Sequence, residues 1–254
     1  MSRRERRAKA KKLSSGRRPN STRAVKRTSG VVAVAAITVG ASCAGASAAD
    51  FNGTMVKDLN TFGQGSSPSG FTTAGSKSFF FADDGPHGTE LWASDGTASG
   101  TGMVKDIRPG SLSSGGYYSS TMVAMGSNVF FTADDGTNGR ELWKSDGTSA
   151  GTVMVKDIRP GAFDSDAFSL TVVGGTLYFS ADDGTNGQEL WKSDGTNAGT
   201  TLVKDIDVGS YGSNPRSFKE LGSNVYFTAD DGANGRELWK SDGTNAGTTL
   251  VKDI

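Results

Sequence analysis

The sequence predicts an all-β, propeller-like array of four units, each a sheet of four short strands in roughly 48 residues. Three observations carry this. First, the chain repeats. Glu-Leu-Trp occurs at Glu90-Leu91-Trp92, Glu141-Leu142-Trp143, Glu189-Leu190-Trp191 and Glu237-Leu238-Trp239, at spacings of 51, 48 and 48. Each copy follows Ala-Asp-Asp-Gly and precedes x-Ser-Asp-Gly-Thr, and Val-Lys-Asp occurs five times, starting at Val56, Val104, Val155, Val203 and Val251. There are thus four full units and one additional Val-Lys-Asp segment at the front. Second, Gly makes up 36 of 254 residues, about twice the usual share of ~7%, which calls for many tight turns. Third, apolar residues stand side by side, as in Val129-Phe130-Phe131 and Leu202-Val203. A sheet with one wet face alternates apolar and polar residues, whereas a sheet covered on both faces need not.

The elements follow in chain order. Residues 1–49 carry twelve basic side chains and one acid, Glu5. A basic stretch, a short apolar run at 31–41 and small residues ending in Ala46-Ser47-Ala48 form the three-part layout of a secretory signal peptide. Cleavage is expected after Ala48 or Ala49. A retained anchor is the weaker reading, because Gly40, Ser42, Cys43, Gly45 and Ser47 break up the roughly 20 apolar residues that a spanning helix needs. Residues 50–254 form the repeat domain, and the last unit shows its parts. A short segment at 217–221 ends in Gly222-Ser223-Asn224. The β-branched and aromatic run 225–229 is a strand. Asp230 to Gly235 is turn chemistry, 236–240 is a second strand closed by Ser241-Asp242-Gly243, and 247–254 is a third. The Asp-Gly pairs read as hairpin signals, and the Lys and Asp of Val-Lys-Asp as exposed cross-strand pairs. Nothing beyond residue 49 reads as a helix. The three-residue excess of one unit lies between Ile107 and Asp134.

On the four intact copies of Glu-Leu-Trp-x-Ser-Asp-Gly-Thr across 51–254, the units resemble the ELWxxDGT repeat of exported and surface proteins of bacteria. The resemblance implies an extracytoplasmic, propeller-like repeat domain with no established enzymatic activity. Four units admit a closed four-bladed ring or part of a larger or open array, and the stop at Ile254 is compatible with a fragment.

Composition narrows the function. The region after residue 49 holds 15 basic and 26 acidic side chains, so it lacks the positive footprint of a nucleic-acid partner. The single Cys, Cys43, lies in the N-terminal segment, and His87 is the single His. Disulfide scaffolds, thiolate zinc sites, Cys nucleophiles and sites needing two imidazoles are excluded. Four near-identical units argue against catalysis, since one substrate needs one constellation.

The four Trp are expected in the core with their neighbours Leu91, Leu142, Leu190 and Leu238, because adjacent strand residues point to opposite faces. A ring of sugar platforms is the rival. In an open array, Trp92 and Trp239 are expected to matter less for stability than Trp143 and Trp191. Asp134, Asp135 and Asn138 are calcium candidates, but Asp-Asp-Gly-x-Asn-Gly lacks the alternating carboxylates of a calcium loop, and turn chemistry is preferred. No catalytic residue and no cofactor are expected. Unrepeated positions are the candidate binding residues: Tyr117 and Tyr118 in the inserted stretch, and Phe163, Asp164, Asp166 and Tyr211 in the corresponding loops. Tyr among Ser, Gly and Asn suits recognition. The expectation is a non-enzymatic, secreted or cell-surface domain binding an extracellular protein or glycan, meeting a membrane only through an uncleaved N-terminal segment. The alternatives are a polysaccharide-acting propeller enzyme and a purely structural array.

Overall fold

The computed structural model describes residues 54–116 and 122–253; the expected signal peptide, Tyr117 and Tyr118 lie outside them. The described residues form sixteen strands and no helix. Four antiparallel meanders of four strands result. The first sheet contains β1 (Ser69–Ala74), β2 (Lys77–Asp83), β3 (Thr89–Ser94) and β4 (Gly102–Lys105). The second contains β5 (Val123–Met125), β6 (Asn128–Asp134), β7 (Arg140–Ser145) and β8 (Val153–Lys156). The third contains β9 (Phe168–Val173), β10 (Thr176–Asp182), β11 (Gln188–Ser193) and β12 (Thr201–Lys204). The fourth contains β13 (Arg216–Leu221), β14 (Asn224–Asp230), β15 (Arg236–Ser241) and β16 (Thr249–Lys252). The sheets stack in sequence order, and their first strands touch in the succession β1–β5–β9–β13.

Register explains why each sheet needs two neighbours. Trp pairs with Phe on the preceding strand, as in Phe131↔Trp143 and Phe179↔Trp191. Leu sits one residue earlier, on the opposite face. The Leu face of one sheet then packs on the Trp face of the next. Phe79, Phe81 and Leu91 of sheet 1 meet Val129, Phe131, Ala133 and Trp143 of sheet 2 in one core cluster. Phe130 and Leu142 meet Leu177, Phe179, Ala181 and Trp191 in a second, and Tyr178 and Leu190 meet Val225, Phe227, Ala229 and Trp239 in a third. All four Trp are buried, at 5–6% exposure. Leu91, Leu142 and Leu190 are fully buried, but Leu238 is only half-buried, because no sheet among the described residues covers that face of sheet 4. Leu238 therefore departs from the expected core set.

The turns differ from expectation in one respect. The two-residue hairpins are Gly75-Ser76, Gly126-Ser127, Gly174-Gly175 and Gly222-Ser223, which close Ala74↔Lys77, Met125↔Asn128, Val173↔Thr176 and Leu221↔Asn224. The Asp-Gly pairs instead open a longer loop between third and fourth strands. There, the Asp146 carboxylate accepts from Thr148 N and Oγ1 (2.8 and 2.7 Å), Gly151 N donates to Thr148 Oγ1 (2.9 Å), and Ser145 Oγ meets Thr152 Oγ1 at 2.8 Å. The other three units repeat this network.

The Val-Lys-Asp lysines do not pair with acids across strands. The three between sheets reach the next sheet: Lys105 Nζ donates to Thr152 O, Lys156 Nζ to Thr200 O and Lys204 Nζ to Thr248 O, all at 2.9 Å. The acceptors belong to Thr152, Thr200 and Thr248, fully buried residues immediately before the fourth strand of each following sheet, where a carbonyl away from water requires a donor. The lysines' Asp partners in sequence, Asp106, Asp157 and Asp205, hold Oδ1 buried without a hydrogen-bond partner.

Candidate functional site: the connectors between sheets

Three connectors run from a Val-Lys-Asp strand to the first strand of the next sheet, and a buried serine anchors each. Ser114, Ser165 and Ser213 are fully buried. Ser114 N and Ser165 N donate to Thr89 O and Arg140 O, both at 3.1 Å, which ties the connector to the sheet behind. The same serines' carbonyls accept from Asp134 N (2.9 Å) and Asp182 N (2.8 Å), which ties it to the sheet ahead. Ser213 O accepts from Asp230 N (3.0 Å), and Ser66 O from Asp83 N (2.9 Å).

The glutamate of Glu-Leu-Trp completes the clamp. Glu90, Glu141 and Glu189 are fully buried. Ile107 N, Ser114 N and Ser114 Oγ donate to the Glu90 carboxyl at 2.9, 3.0 and 2.6 Å. Ile206 N, Asp207 N, Ser213 N and Ser213 Oγ donate to Glu189 at 3.0, 3.2, 2.7 and 2.5 Å. Ile158 N and Arg159 N donate to Glu141. Burial still pushes Glu90 and Glu141 up to about 7 against these bonds, and raises Glu189 as well. A carboxyl with each oxygen held by backbone donors is a brace between sheets.

Outside this brace the connectors present apolar tips. Leu112, Phe163 and Tyr211 each stand two residues before the anchoring serine, and they are 61%, 68% and 90% exposed. Arg159 lies over the Phe163 ring, 5.3 Å from its centroid. Asp164 accepts from Arg140 N at 2.7 Å, so it braces its loop. Asp166 has φ 47°; partial desolvation of its carboxyl and the charge of Asp164 raise its pKa. In the segment that leads into sheet 1, Asn60, Phe62 and Gln64 line a cleft of about 420 Å³ with Asp83, Gly85 and Pro86. Of the expected binding residues, the connectors thus bring Phe163 and Tyr211 to one equivalent, exposed position. Leu112 and Phe62 were not among those expected. Aligning the chain on Ser66, Ser114, Ser165 and Ser213, spaced 48, 51 and 48, reveals both the anchor and the shared tip position. It also places the three-residue excess after Ser114.

The calcium candidates are engaged in their own turn. Asp134 accepts from Gly136 N at 2.6 Å and pairs with Arg108. Asp135 accepts from Thr137 N, Asn138 N and Asn138 Nδ2 at 2.8–2.9 Å. Among the described residues no group of three or more His, Cys, Asp or Glu is arranged to hold a metal ion. His87 does what Asn138, Asn186 and Asn234 do in the other units: its N and Nδ1 meet Asp84 at 3.0 and 2.7 Å.

No protein-family model and no curated protein matches the chain. Its fold is similar to solved structures at low identity. A puromycin hydrolase mutant complexed with PGG is 14% identical with a TM-score of 0.49, over 73% of this chain and 30% of that one. A puromycin-hydrolyzing peptidase of Mycobacterium tuberculosis is 12% identical with a TM-score of 0.47, over 74% and 28%. The computationally designed Ika8 protein is 14% identical with a TM-score of 0.40, over 74% and 49%. The chain spans between about a quarter and a half of the length of these structures, and at such TM-scores the likeness bears on neither activity nor ligand.

Proposed function

We propose that the four sheets are successive blades of a propeller-like array of the ELWxxDGT type, and that the chain is an exported, non-catalytic domain that binds an extracellular protein or glycan along its connector edge. The observation that carries the binding reading is the recurrence of an exposed apolar side chain, Leu112, Phe163 and Tyr211, at one position of three successive connectors. Solvent-facing apolar groups in register, rimmed by polar loops, suit a partner that offers sugar faces or apolar side chains. The stacking of first strands in sequence order and the two-sided burial of each inner sheet support the blade reading. The basic, apolar and small-residue order of 1–49 supports export. Polysaccharide hydrolysis would need two carboxyls flanking one bond. The repeated glutamates are instead bound by backbone donors of the connectors.

The test is a triple variant, Leu112→Ser with Phe163→Ser and Tyr211→Ser, applied with the parent chain to a glycan array and to immobilised surface extracts. All three side chains are exposed, so the melting temperature is expected to stay within a few degrees while binding falls at least about tenfold, as hot-spot aromatics dictate. Equal binding by both proteins would reject the connector edge as the contact surface.

A further inference from the structure

The three interfaces between sheets follow one rule. The Leu face of the leading sheet sends two lysines to carbonyls of the following one. Lys77, Lys144 and Lys192 donate to Gly147 O, Gly195 O and Gly243 O at 3.1, 2.8 and 2.8 Å. Lys105, Lys156 and Lys204 donate to the threonine carbonyls already described. Phe79, Phe130 and Tyr178 press against the same glycines, where a Cβ would stand 3.1, 2.9 and 2.5 Å from their side chains. Phe218 of the fourth sheet and Leu170 of the third sit buried on the Trp face, at 5% and 4% exposure.

The two ends of the stack break this rule in complementary ways. On sheet 4, Tyr226, Thr228 and Leu238 are half-buried and Lys240 is exposed, whereas Tyr178, Ser180 and Leu190 of sheet 3 are buried. On sheet 1, Gly96 faces open space, and Phe71, which stacks on Phe80 at 5.2 Å as Phe218 meets Phe227 at 5.5 Å, is 46% exposed. The rest of that Trp face is covered by the additional Val-Lys-Asp segment. Lys57 Nζ donates to Thr101 O at 2.7 Å, the bond that Lys105, Lys156 and Lys204 make elsewhere. Leu59 packs on Phe80, Ala82 and Trp92, as Ile107 packs within the cluster of Phe131, Ala133 and Trp143. Residues 54–60 therefore imitate the outer edge of a preceding sheet while pairing into no sheet themselves.

We propose that copies of this chain stack head to tail: the Leu238 face of sheet 4 receives the Phe71–Gly96 face of a second copy, and residues 54–60 are the cap that this docking displaces. The second copy is the fitting occupant because its sheet 1 presents what each following sheet presents inside the chain: an indole-bearing face, a glycine loop and a threonine carbonyl. In the docked pair Lys240 meets Gly96 O, and Lys252 takes Thr101 O from Lys57. Such a contact is heterologous, so it builds rings or filaments and not an isologous dimer. It is independent of what the connector edge binds.

Sedimentation velocity of the 254-residue chain tests this. Weakening the cap with Lys57→Glu and Leu59→Asp is expected to tighten self-association about tenfold, the scale of one lost hot-spot contact. Adding Leu238→Asp is expected to return that protein to monomer. If the cap variant does not fold, as judged by its melting curve, two variants in the intact chain decide. Phe71→Asp and Leu238→Asp each block one end, so each alone stays monomeric and their mixture yields dimers and nothing larger. A mixture that stays monomeric, a cap variant that folds without associating, or association that survives Leu238→Asp overturns the proposal. The first result is also expected if residues 1–53 or an unrelated protein cover the sheet 4 face.

Discussion

Leu190 and Leu238 occupy the same place in strands of the same Glu-Leu-Trp-Lys-Ser sequence, yet one is fully buried and the other half-buried. Burial, not identity, sets their worth. Leu190→Ala removes methyl groups from a filled interface and is expected to cost about 2–5 kcal/mol, while Leu238→Ala is expected to cost about 1 kcal/mol or less. The neighbouring indoles behave otherwise. Trp239 points back toward sheet 3 and Trp92 lies under Leu59 and Met103, both at 6% exposure. Trp239→Ala and Trp92→Ala are then expected to cost about 3–5 kcal/mol, like Trp191→Ala. This reverses the expectation that terminal indoles matter less. Urea unfolding of the five single variants checks both halves: equal losses for Leu190 and Leu238, or small losses at Trp92 and Trp239, would contradict the face assignment.

Among the elements, the five-residue turns between second and third strands depend on the connectors laid against them. Gly139 and Gly187 have φ 69° and 66°, and a Cβ there would stand 2.4 Å from Phe163 O and 2.8 Å from Ser210 O and Gly212 N. Gly235 holds φ 76° in the last unit, with nothing within 4 Å. A left-handed backbone costs a side chain roughly 1–2 kcal/mol at any of these positions. Gly187→Ala must also push the connector backbone away, so it is expected to lower the melting temperature at least about twice as far as Gly235→Ala. Similar shifts would mean that the connector yields freely. This contrast also shows what was legible in the sequence. Strands and repeat length stood out because Phe, Trp and Leu are rare enough for their recurrence to be seen. The anchoring serines did not. Ser is ordinary in any loop, and the role of Ser114 depends on Glu90, 24 residues earlier, a pairing that exists only once the sheet has folded. The lysines escape a sequence reading for a related reason: a Lys next to Asp in a strand suggests a local ion pair, but the carbonyl that Lys105 meets is 47 residues away. The apolar tips are half legible, since Phe163 and Tyr211 stand out by type and Leu112 only by register.

At the scale of the whole molecule, stability is a sum over interfaces between neighbouring sheets, and a buried glutamate braces each of the three connectors between them. This predicts an unusual pH dependence for the protein. Desolvation raises Glu90 and Glu141 from an ordinary 4.5 to about 7, and raises Glu189. A carboxyl raised on folding binds its proton more tightly in the native state than in the unfolded chain. Its contribution is therefore complete below about 4.5 and is lost as pH rises through the folded value near 7. The turn aspartates act in the opposite sense. Hydrogen bonds from Thr97, Thr148, Thr196 and Thr244 lower Asp95, Asp146, Asp194 and Asp242. Their contribution is present above the ordinary 3.8 and disappears as pH falls through the lowered values. Stability should then peak at roughly pH 4–5 and decline toward pH 8, unlike the broad neutral optimum common among proteins. Glu90→Gln combined with Glu141→Gln removes two of the three titrations, and is expected to flatten the decline between pH 5 and 8 while leaving the acid limb unchanged. Melting temperatures of parent and double variant across pH 3–9 measure both limbs. A parent profile that rises from pH 5 to 8 would show that the backbone donors, not desolvation, govern these carboxyls, and that the connectors are clamped by ionised glutamates.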